Sequence, residues 1–132
     1  MTRVRAAGAV DAAGVDHRGS AILTHEGGRM STVTFSMETL GSNRATISGT
    51  DGVIELDPAF YTWTRYARRH ASDHAAIAEA FEPDMLGRGM QFQAAEVERC
   101  VAAGALESAI MPLDETVAIM RVMDEITAKM RA

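Results

Sequence analysis

The fold of this chain is decided by residues 19–38, which read GSAILTHEGGRMSTVTFSME. From Ser31 to Glu38, apolar side chains alternate with polar ones, and this period of two is typical of a half-buried strand. The preceding stretch carries an apolar run and ends at Gly27-Gly28, a common turn pair. The sequence therefore predicts a β-hairpin, with one strand from Gly19 to Glu26 and the other from Ser31 to Glu38.

Further strands are predicted on both sides of this hairpin. Asn43–Gly49 and Val53–Leu56 flank Asp51-Gly52, and an Asp-Gly pair between apolar alternations is a strong hairpin signal. Tyr61–Arg68 alternates again and is rich in aromatic and threonine residues, which favour strands. Thr2–Val10 is predicted as one more strand.

The segment Arg65–Phe81 leaves two interpretations open. Residues 75–80 are rich in alanine, which favours a helix, but a short isolated helix is marginal in water. Ser72-Asp73 is a plausible turn between neighbouring strands. We therefore favour a returning strand over a helix in this segment.

Two helices are predicted in the second half of the chain. Gly89–Ala103 places apolar residues on one helical face, Glu96 and Arg99 form a supporting ion pair, and Gly104 stands where a terminating glycine belongs. The second helix has Pro112 at its first position, acidic residues in its first turn and basic residues in its last. An apolar stripe along it is expected to pack on the sheet. Its members are Val117, Ile119, Met120, Met123, Ile126 and Met130.

Strands that are followed by helices, instead of alternating with them, indicate an α+β fold. We expect residues 1–132 to form a single domain, an open and mostly antiparallel sheet with two C-terminal helices packed on one face. The other face would carry Thr32, Thr34, Ser36 and Glu38. Because that face is flat and weakly charged, we expect it to form the interface of a homodimer.

The composition excludes several classes of protein. Of the 132 residues, 47% are hydrophobic and 23% are charged, so the chain is not disordered. No run approaches the ~20 apolar residues of a membrane span, and a net charge of -5 argues against nucleic acid as a partner. Cys100 is the only cysteine, and residues 1–10 lack the apolar run of a signal peptide. We therefore expect a reducing, cytoplasmic location.

The sequence contains no recognisable motif for catalysis or cofactor binding. Gly87-Arg88-Gly89 lacks the third glycine and the preceding strand of a dinucleotide-binding turn, and no Gly-Lys-Ser/Thr of a P-loop is present. Cys100 lies on a predicted helix, where a small buried residue is a more frequent role than a nucleophile. We therefore assign no catalytic, cofactor-binding or metal-binding residue.

The remaining candidates are histidines and arginines. His70 and His74 stand four residues apart, but we expect a turn between them and no third zinc ligand, so we interpret them as surface residues. Zinc is the minor alternative. Arg65, Arg68 and Arg69 form a basic cluster, which we interpret as a solvated strand edge where charge discourages pairing. An anion site is the minor alternative for this cluster.

The order of short segments in this chain is similar to that of a known domain. Ile47–Leu56, which reads ISGTDGVIEL, resembles a hairpin of the C-terminal domain of the glucose–fructose oxidoreductase / inositol dehydrogenase / rhizopine catabolism family (Gfo/Idh/MocA). The helical half is more similar, and it is nearest to the dihydrodiol-dehydrogenase-like branch. Its matching residues are Gln91, Glu96, Val97, Cys100, Gly104, Glu107-Ser108, Met111–Thr116, Met120 and Met123–Ile126. The sequence departs from the family at Ala109, where proline is expected, and over Tyr61–Glu82.

The resemblance implies the substrate-pocket and dimerisation domain of an NAD(P)-dependent oxidoreductase acting on sugars, cyclitols or diols. Enzymes of the family also have a Rossmann domain that holds NAD or NADP at a glycine-rich turn, and a Glu-Lys-Pro motif with a catalytic lysine. Neither motif occurs here, where Lys129 is the only lysine. We therefore expect no cofactor in this chain and no activity of the chain alone. A stand-alone binding or scaffold module that has kept the sheet and lost the chemistry is the alternative.

Overall fold

A computed structural model of the chain describes residues 1, 3–62, 64–84 and 87–131. Its strands are β1 (Arg3–Val10), β2 (Asp16–Thr24), β3 (Met30–Ser36), β4 (Ala45–Gly49), β5 (Gly52–Leu56), β6 (Tyr66–His70) and β7 (Glu79–Phe81). Its helices are α1 (Met90–Ala102) and α2 (Leu113–Met130). These elements belong to two compact units, one formed by Met1–Gly41 with Leu106–Ala132 and the other by Ser42–Ala105.

The first unit contains a three-stranded antiparallel sheet in the order β1–β2–β3. The predicted hairpin is confirmed as β2 and β3, which a short 3-10 turn at Glu26–Gly28 connects. Gly27 and Gly28 have φ angles of 73° and 76°, a region that glycine enters without strain. The predicted first strand is confirmed from Arg3 onward, and Thr2 lies outside the described residues.

Helix α2 contacts strands β1 and β2 of this sheet, and its last residue approaches them closely. A Cβ atom added at Gly8 or at Gly19 would lie 2.5 Å from Met130 Sδ, so these glycines allow the last residue of the helix to approach the sheet closely. Beyond the helix, Arg131 donates a hydrogen bond to the Gly14 carbonyl at 2.7 Å. Met123 is 53% exposed. The prediction that this residue is buried against the sheet is therefore wrong, because the half-buried apolar residues of the helix are Val122, Ile126 and Met130, which follow one another at intervals of four and leave Met123 outside this row.

Helix α2 begins one residue later than predicted. Pro112 has an extended conformation, with φ -62° and ψ 153°, and directly precedes the first helical residue, Leu113. The Leu113 N–H donates to the Glu107 carboxylate at 2.7 Å. Asp114 and Glu115 lie in the first turn, where negative charge complements the helix dipole, as the sequence predicted.

The second unit contains a four-stranded antiparallel sheet in the order β4–β5–β6–β7. The predicted Asp-Gly hairpin is confirmed, since Gly49 at the end of β4 pairs with Gly52 at the start of β5. The strand predicted over Tyr61–Arg68 is wrong in its first part. The Thr62 N–H donates to the Ala59 carbonyl at 2.8 Å in a turn, Trp63 lies outside the described residues, and the strand begins only at Tyr66.

The returning strand favoured for Arg65–Phe81 is confirmed as β7, which pairs antiparallel with β6. A turn precedes it, in which Asp73 Oδ1 accepts the N–H groups of Ala75 and Ala76 at 3.0 and 3.1 Å. An aspartate that bonds to nearby backbone in this way offers the chain an alternative to a helix. This local competition explains why the alanines of this segment do not form one.

Helix α1 ends as the sequence predicts. The N–H groups of Gly104 and Ala105 donate to the carbonyls of Val101 and Cys100 at 3.1 and 2.9 Å, which is the hydrogen-bond pattern of a Schellman motif. Gly104 has a φ angle of 66°, and glycine adopts this conformation at little cost. The glycine therefore terminates the helix and satisfies two of its last carbonyls.

The α+β class is confirmed, with antiparallel sheets first and the helices toward the C-terminus. The strands form two sheets, whereas the alternation of the sequence led us to expect one. Periodicity identifies strands, but it does not encode which strands pair. In the part of the chain described here, neither helix combines the length and the apolar character needed to cross a bilayer.

Candidate functional site

The sheet of the first unit has one face that α2 partly covers. Directly paired residues share a face, and the register places Gly8, Gly19 and Phe35 in one row across β1, β2 and β3. Met130 Sδ lies over the two glycines. The helix therefore covers this face near β1 and β2, while Val33 on the outer strand remains 46% exposed.

The opposite face of the same sheet is exposed and mostly polar in the described part of the chain. The next row of the register contains Ala7, Ser20 and Thr34, all exposed. Ser20 Oγ and Thr34 Oγ1 lie 3.1 Å apart and share a hydrogen bond. The row beside it contains Arg5, Ile22 and Thr32. The alternation of the hairpin thus places its threonines away from α2, as predicted, and we call this surface the threonine face. Whether the threonine face forms a dimer interface stays a prediction.

A carboxylate–histidine group lies at the end of this sheet, and no sequence motif predicted it. His17 Nε2 lies 3.0 Å from Asp11 Oδ2, and His17 Nδ1 lies 3.6 Å from Glu38 Oε1. Glu38 also pairs with Arg18. These residues surround one imidazole because the β1–β2 turn returns Asp11 to the strand that carries His17.

The main role of this group is to close the β1–β2 turn. Asp11 Oδ1 accepts the N–H groups of Ala13 and Val15, both at 2.9 Å. The Val15 hydrogen bond and then the His17 side chain hold the pKa of Asp11 below its ordinary value. All members of the group are exposed or half-buried, so the arrangement offers no enclosed site for a substrate.

The other histidines have different partners. His25 Nε2 lies 2.8 Å from Ser31 Oγ across the β2–β3 hairpin. His70 ends β6 and His74 lies in the following turn, as the sequence predicted, and both are exposed. His70 Nε2 lies 3.3 Å from Arg68 Nη1. Over the described ranges, no three histidine, cysteine, aspartate or glutamate side chains converge as metal ligands would.

The arginine cluster is not a strand edge, and that interpretation is wrong. Arg68 and Arg69 lie on β6, an interior strand between β5 and β7. Each of them has a carboxylate partner on a neighbouring strand: Arg68 Nε lies 3.0 Å from Glu79, and Arg69 Nε lies 3.1 Å from Glu55. The arginines therefore crosslink the sheet, which the sequence could not show without the strand register.

Arg65 belongs to a second ion-pair group just before β6. Asp57 accepts hydrogen bonds from Arg65 Nε at 2.8 Å and from Arg44 Nη1 at 2.9 Å. The Arg65 hydrogen bond in the first place, with the charges of Arg65 and Arg44, holds the pKa of Asp57 below its ordinary value. The pairing connects the chain on both sides of the β4–β5 hairpin.

A shallow concavity of about 280 Å³ lies at the β4–β5 hairpin, between residues 47–54 and the side chains of Arg68 and Arg69. Its walls combine Ile47 and Ile54 with the polar turn. Since both arginines are engaged with carboxylates, the concavity does not present a free cationic group to an anion. It can contact a small polar molecule but contains no arrangement for catalysis.

Cys100 occupies the inner side of α1 and is buried. Its thiol donates to Glu96 Oε1 at 3.5 Å, and the Arg99 guanidinium holds the same carboxylate through two hydrogen bonds of 2.7 and 2.8 Å. Burial, and then the hydrogen bond and negative charge of Glu96, raise the pKa of the Cys100 thiol. A thiol of this kind is a poor nucleophile at neutral pH, in agreement with the sequence interpretation.

The most extensive feature of both units is exposed apolar surface. Among the described residues, the buried apolar side chains are Val4 and Ala21 in the first unit and Cys100 in the second. Many large apolar side chains on the helices are at least two-fifths exposed. They include Met90, Phe92, Val97 and Val101 on α1, and Leu113, Val117, Ile119, Met120 and Met123 on α2. Contiguous exposed apolar surface marks contact with another protein segment.

No family model matches the chain, but individual dehydrogenases do. It is 29% identical over 124 residues to a trans-1,2-dihydrobenzene-1,2-diol dehydrogenase of Xenopus tropicalis, covering 92% of this chain and 38% of that protein. The Bos taurus dehydrogenase of the same name is 28% identical over 127 residues, covering 94% of this chain and 38% of that protein.

A sugar dehydrogenase is equally similar. D-xylose 1-dehydrogenase (NADP(+)) 2 of Haloferax volcanii is 31% identical over 116 residues, which cover 86% of this chain and 34% of that protein. The chain thus spans little more than a third of the length of the curated relatives it matches. The similarity covers nearly all of this chain but only part of each relative. The chain is therefore a homologue of a C-terminal part of the family of these dihydrodiol and D-xylose dehydrogenases.

Proposed function

We propose that this chain is the C-terminal, substrate-pocket and dimerisation part of an NAD(P)-dependent oxidoreductase of the Gfo/Idh/MocA type, acting on sugars, cyclitols or diols. The observation that carries this proposal is the exposed apolar surface of the two units. Burial of apolar surface stabilises a protein by roughly 25 cal/mol per Å². A part of a larger enzyme gains this stabilisation from the segments that cover it, whereas a stand-alone module would not.

The relatives support the same conclusion. They are dehydrogenases of a diol and of a sugar, and one carries NADP(+) in its name. Because the match covers only 34–38% of the first relatives named above, most of each dehydrogenase lies outside the matched region. We infer that cofactor binding belongs to that remainder.

The residues of this chain do not fit a nicotinamide cofactor. A dinucleotide site needs a strand that leads through a glycine-rich turn into a helix, whose N-terminus holds the pyrophosphate. Gly87 and Gly89 precede α1, but β7 ends at Phe81, and the sequence GRG lacks the third glycine. We therefore assign no catalytic step to a cofactor bound by this chain.

The dimer is proposed to form through the threonine face. That face is exposed and mostly polar, and hydroxyl pairs such as Ser20–Thr34 can exchange partners across an interface. A two-fold axis is the commonest symmetry of a homodimer, and a stable interface buries roughly 1,200–2,000 Å². The register places Arg3, Arg5 and Arg18 on the same face, where Arg18 is paired with Glu38. Arg3 and Arg5 lie on the outer strand β1, a position compatible with the polar rim of an interface.

Two measurements on the purified chain test the proposal. Calorimetric titration with NAD and NADP should give no binding heat, and a dehydrogenase assay with trans-dihydrodiols and D-xylose should give no turnover. A micromolar dissociation constant for either nucleotide, or turnover by the chain alone, would overturn the assignment of cofactor binding and chemistry to the rest of the enzyme.

A further inference from the structure

The outer strand β3 has one row of backbone groups that no described residue pairs with. At one end of the β2–β3 ladder, the His25 N–H donates to the Arg29 carbonyl, and at the other end the Met37 N–H donates to the His17 carbonyl, both at 2.8 Å. In an antiparallel pair, hydrogen-bonded and non-hydrogen-bonded residue pairs alternate. With the register of this pair, the odd-numbered residues of β3 bond to β2. The N–H and C=O groups of Thr32 and Thr34 therefore point away from the sheet.

This edge lacks the features that usually prevent strand pairing. Charged residues, prolines, bulges and covering elements protect most sheet edges. The other edge strand of this sheet, β1, carries Arg3 and Arg5, has a register shift between Ala9 and Val10, and is contacted by α2. β3 reads MSTVTFS, without charge or proline, and its register with β2 is continuous.

We propose that β3 pairs antiparallel with β3 of a second copy of this chain, around a two-fold axis at Val33. In this register Thr32 lies opposite Thr34 of the second copy, so the residues with free backbone groups on one strand meet those on the other. Each such pair exchanges both backbone hydrogen bonds. The two sheets become one continuous sheet, and both edges are satisfied together.

The side chains fit the same register. Thr32 and Thr34 of the second copy form a threonine pair on the threonine face, an arrangement that stabilises antiparallel strands. The two Val33 side chains meet on the other face. Val33 is 46% exposed in the single chain, and each Val33 would cover part of the other. A different strand that carried charged side chains would find no groups of opposite charge on β3.

The edge contact is distinct from the proposed threonine-face dimer and does not depend on it. Face-to-face packing uses side chains of all three strands, whereas edge pairing uses the backbone of β3 alone. Two perpendicular two-fold axes give a closed tetramer when both contacts form. Each contact can therefore be removed separately.

Sedimentation of the full chain and two lysine variants separates the contacts. V33K places like charges directly opposite each other across the edge axis and leaves the threonine face intact. S20K, in the middle of the threonine face, is the matched control and leaves the edge free. We expect V33K to halve the mass of the assembly and S20K to retain a species at least as large as a dimer. An unchanged mass for V33K would overturn the edge contact, while a monomeric S20K with dimeric V33K would assign all association to the face.

Amide hydrogen exchange on the unmodified chain provides a readout that needs no folded variant. At concentrations where the chain is associated, the Thr32 and Thr34 amides should exchange about as slowly as the Val33 amide, which bonds to β2. On dilution their protection should be lost, while that of Val33 remains. Rapid exchange of Thr32 and Thr34 in the associated state would contradict the proposal.

Discussion

Gly8 and Gly19 show at the scale of single atoms why α2 packs where it does. A Cβ at Gly8 would lie 2.5 Å from both Met130 Sδ and the Arg18 carbonyl oxygen, whereas a Cβ at Gly19 would meet mainly side-chain atoms of Met130 and Phe35. A side chain can move aside more easily than a backbone carbonyl. Gly8→Ala should therefore be more destabilising than Gly19→Ala, by roughly 1–3 kcal/mol as is typical of overpacking.

Urea unfolding of both variants measures this difference. In the Met130→Ala background, Gly19→Ala should change the free energy of unfolding little, because its clash is chiefly with side chains. Gly8→Ala should remain destabilising in this background, because its Cβ also meets the Arg18 carbonyl oxygen. Gly49→Ala is the control, since its nearest neighbour would be 3.8 Å away. Equal losses for Gly8 and Gly19 in both backgrounds would contradict this packing.

Asp57 should make the stability of the second unit depend on pH in the acidic range. Its pKa lies below the ordinary value of 3.8, chiefly because of the Arg65 hydrogen bond. A lowered folded-state pKa adds stability that is fully present above the unfolded-state pKa and is lost as the pH falls through the folded-state value. Asp57→Asn should thus lower the urea midpoint at pH 7, and the difference from the parent should vanish well below pH 3.8.

The matched control for this titration is Asp124→Asn, at an exposed position of α2. It should change the urea midpoint little at either pH. A difference between parent and Asp57→Asn that stays constant from pH 7 down to strongly acidic pH would show that the carboxylate charge of Asp57 is not what stabilises the fold.

Cys100 should react slowly with thiol reagents, because burial and then Glu96 raise its pKa. Glu96→Gln removes the negative charge beside the thiol and should accelerate labelling several-fold at mildly alkaline pH, while burial keeps the rate below that of a free thiol. Glu98→Gln, an exposed position of the same helix, should leave the rate unchanged. The measurement is the labelling rate as a function of pH, and equal rates for all three proteins would contradict the assigned role of Glu96.

At the scale of elements, local patterns in the sequence predicted most of the structure. Alternation and turn pairs located both hairpins, and Gly104 located the end of α1. The strand predicted from Tyr61 was wrong because Ala59, with a φ angle of 65°, forms a turn that composition does not reveal. The burial of Met123 was wrong because the apolar stripe of α2 is wider than the row of half-buried residues, which runs through Val122, Ile126 and Met130.

The stability that α2 contributes should therefore depend on its half-buried residues, of which Met130 has the closest approach to the sheet glycines. Met130 is half-buried over Gly8 and Gly19, whereas Met120 is 51% exposed. Met130→Ala should lower the free energy of unfolding by roughly 2 kcal/mol, at the low end for buried large-to-small changes. Met120→Ala should stay within about 0.5 kcal/mol. Chemical denaturation of the two variants decides this, and a larger loss for Met120→Ala would mean that the middle of the helix holds the contact.

At the scale of the whole molecule, the candidate site was less predictable than the fold. The groups around His17 and Asp57 join residues from different segments. The residues of each group are separated in the sequence and meet only through the strand register. No sequence motif could therefore predict these groups. The similarity to dehydrogenases, by contrast, was readable from the order of short segments, because relatives preserve that order even at 29% identity.

The exposed apolar surface and the partial coverage of the relatives lead to the same account of the molecule. In the function proposed above, the chain is one part of an oxidoreductase, and the rest of that enzyme would supply the cofactor site and cover the exposed helix faces. The account is tested most directly by supplying the missing part.

The decisive measurement is the activity of a chimera in which this chain replaces the matched segment of the Xenopus tropicalis dehydrogenase. The control is the same relative truncated before that segment. We predict that the chimera oxidises a diol or sugar with reduction of NAD or NADP, followed by the absorbance of the reduced nicotinamide, whereas the truncated control does not. A chimera that folds and binds the nucleotide but shows no turnover with any of these substrates would contradict the account.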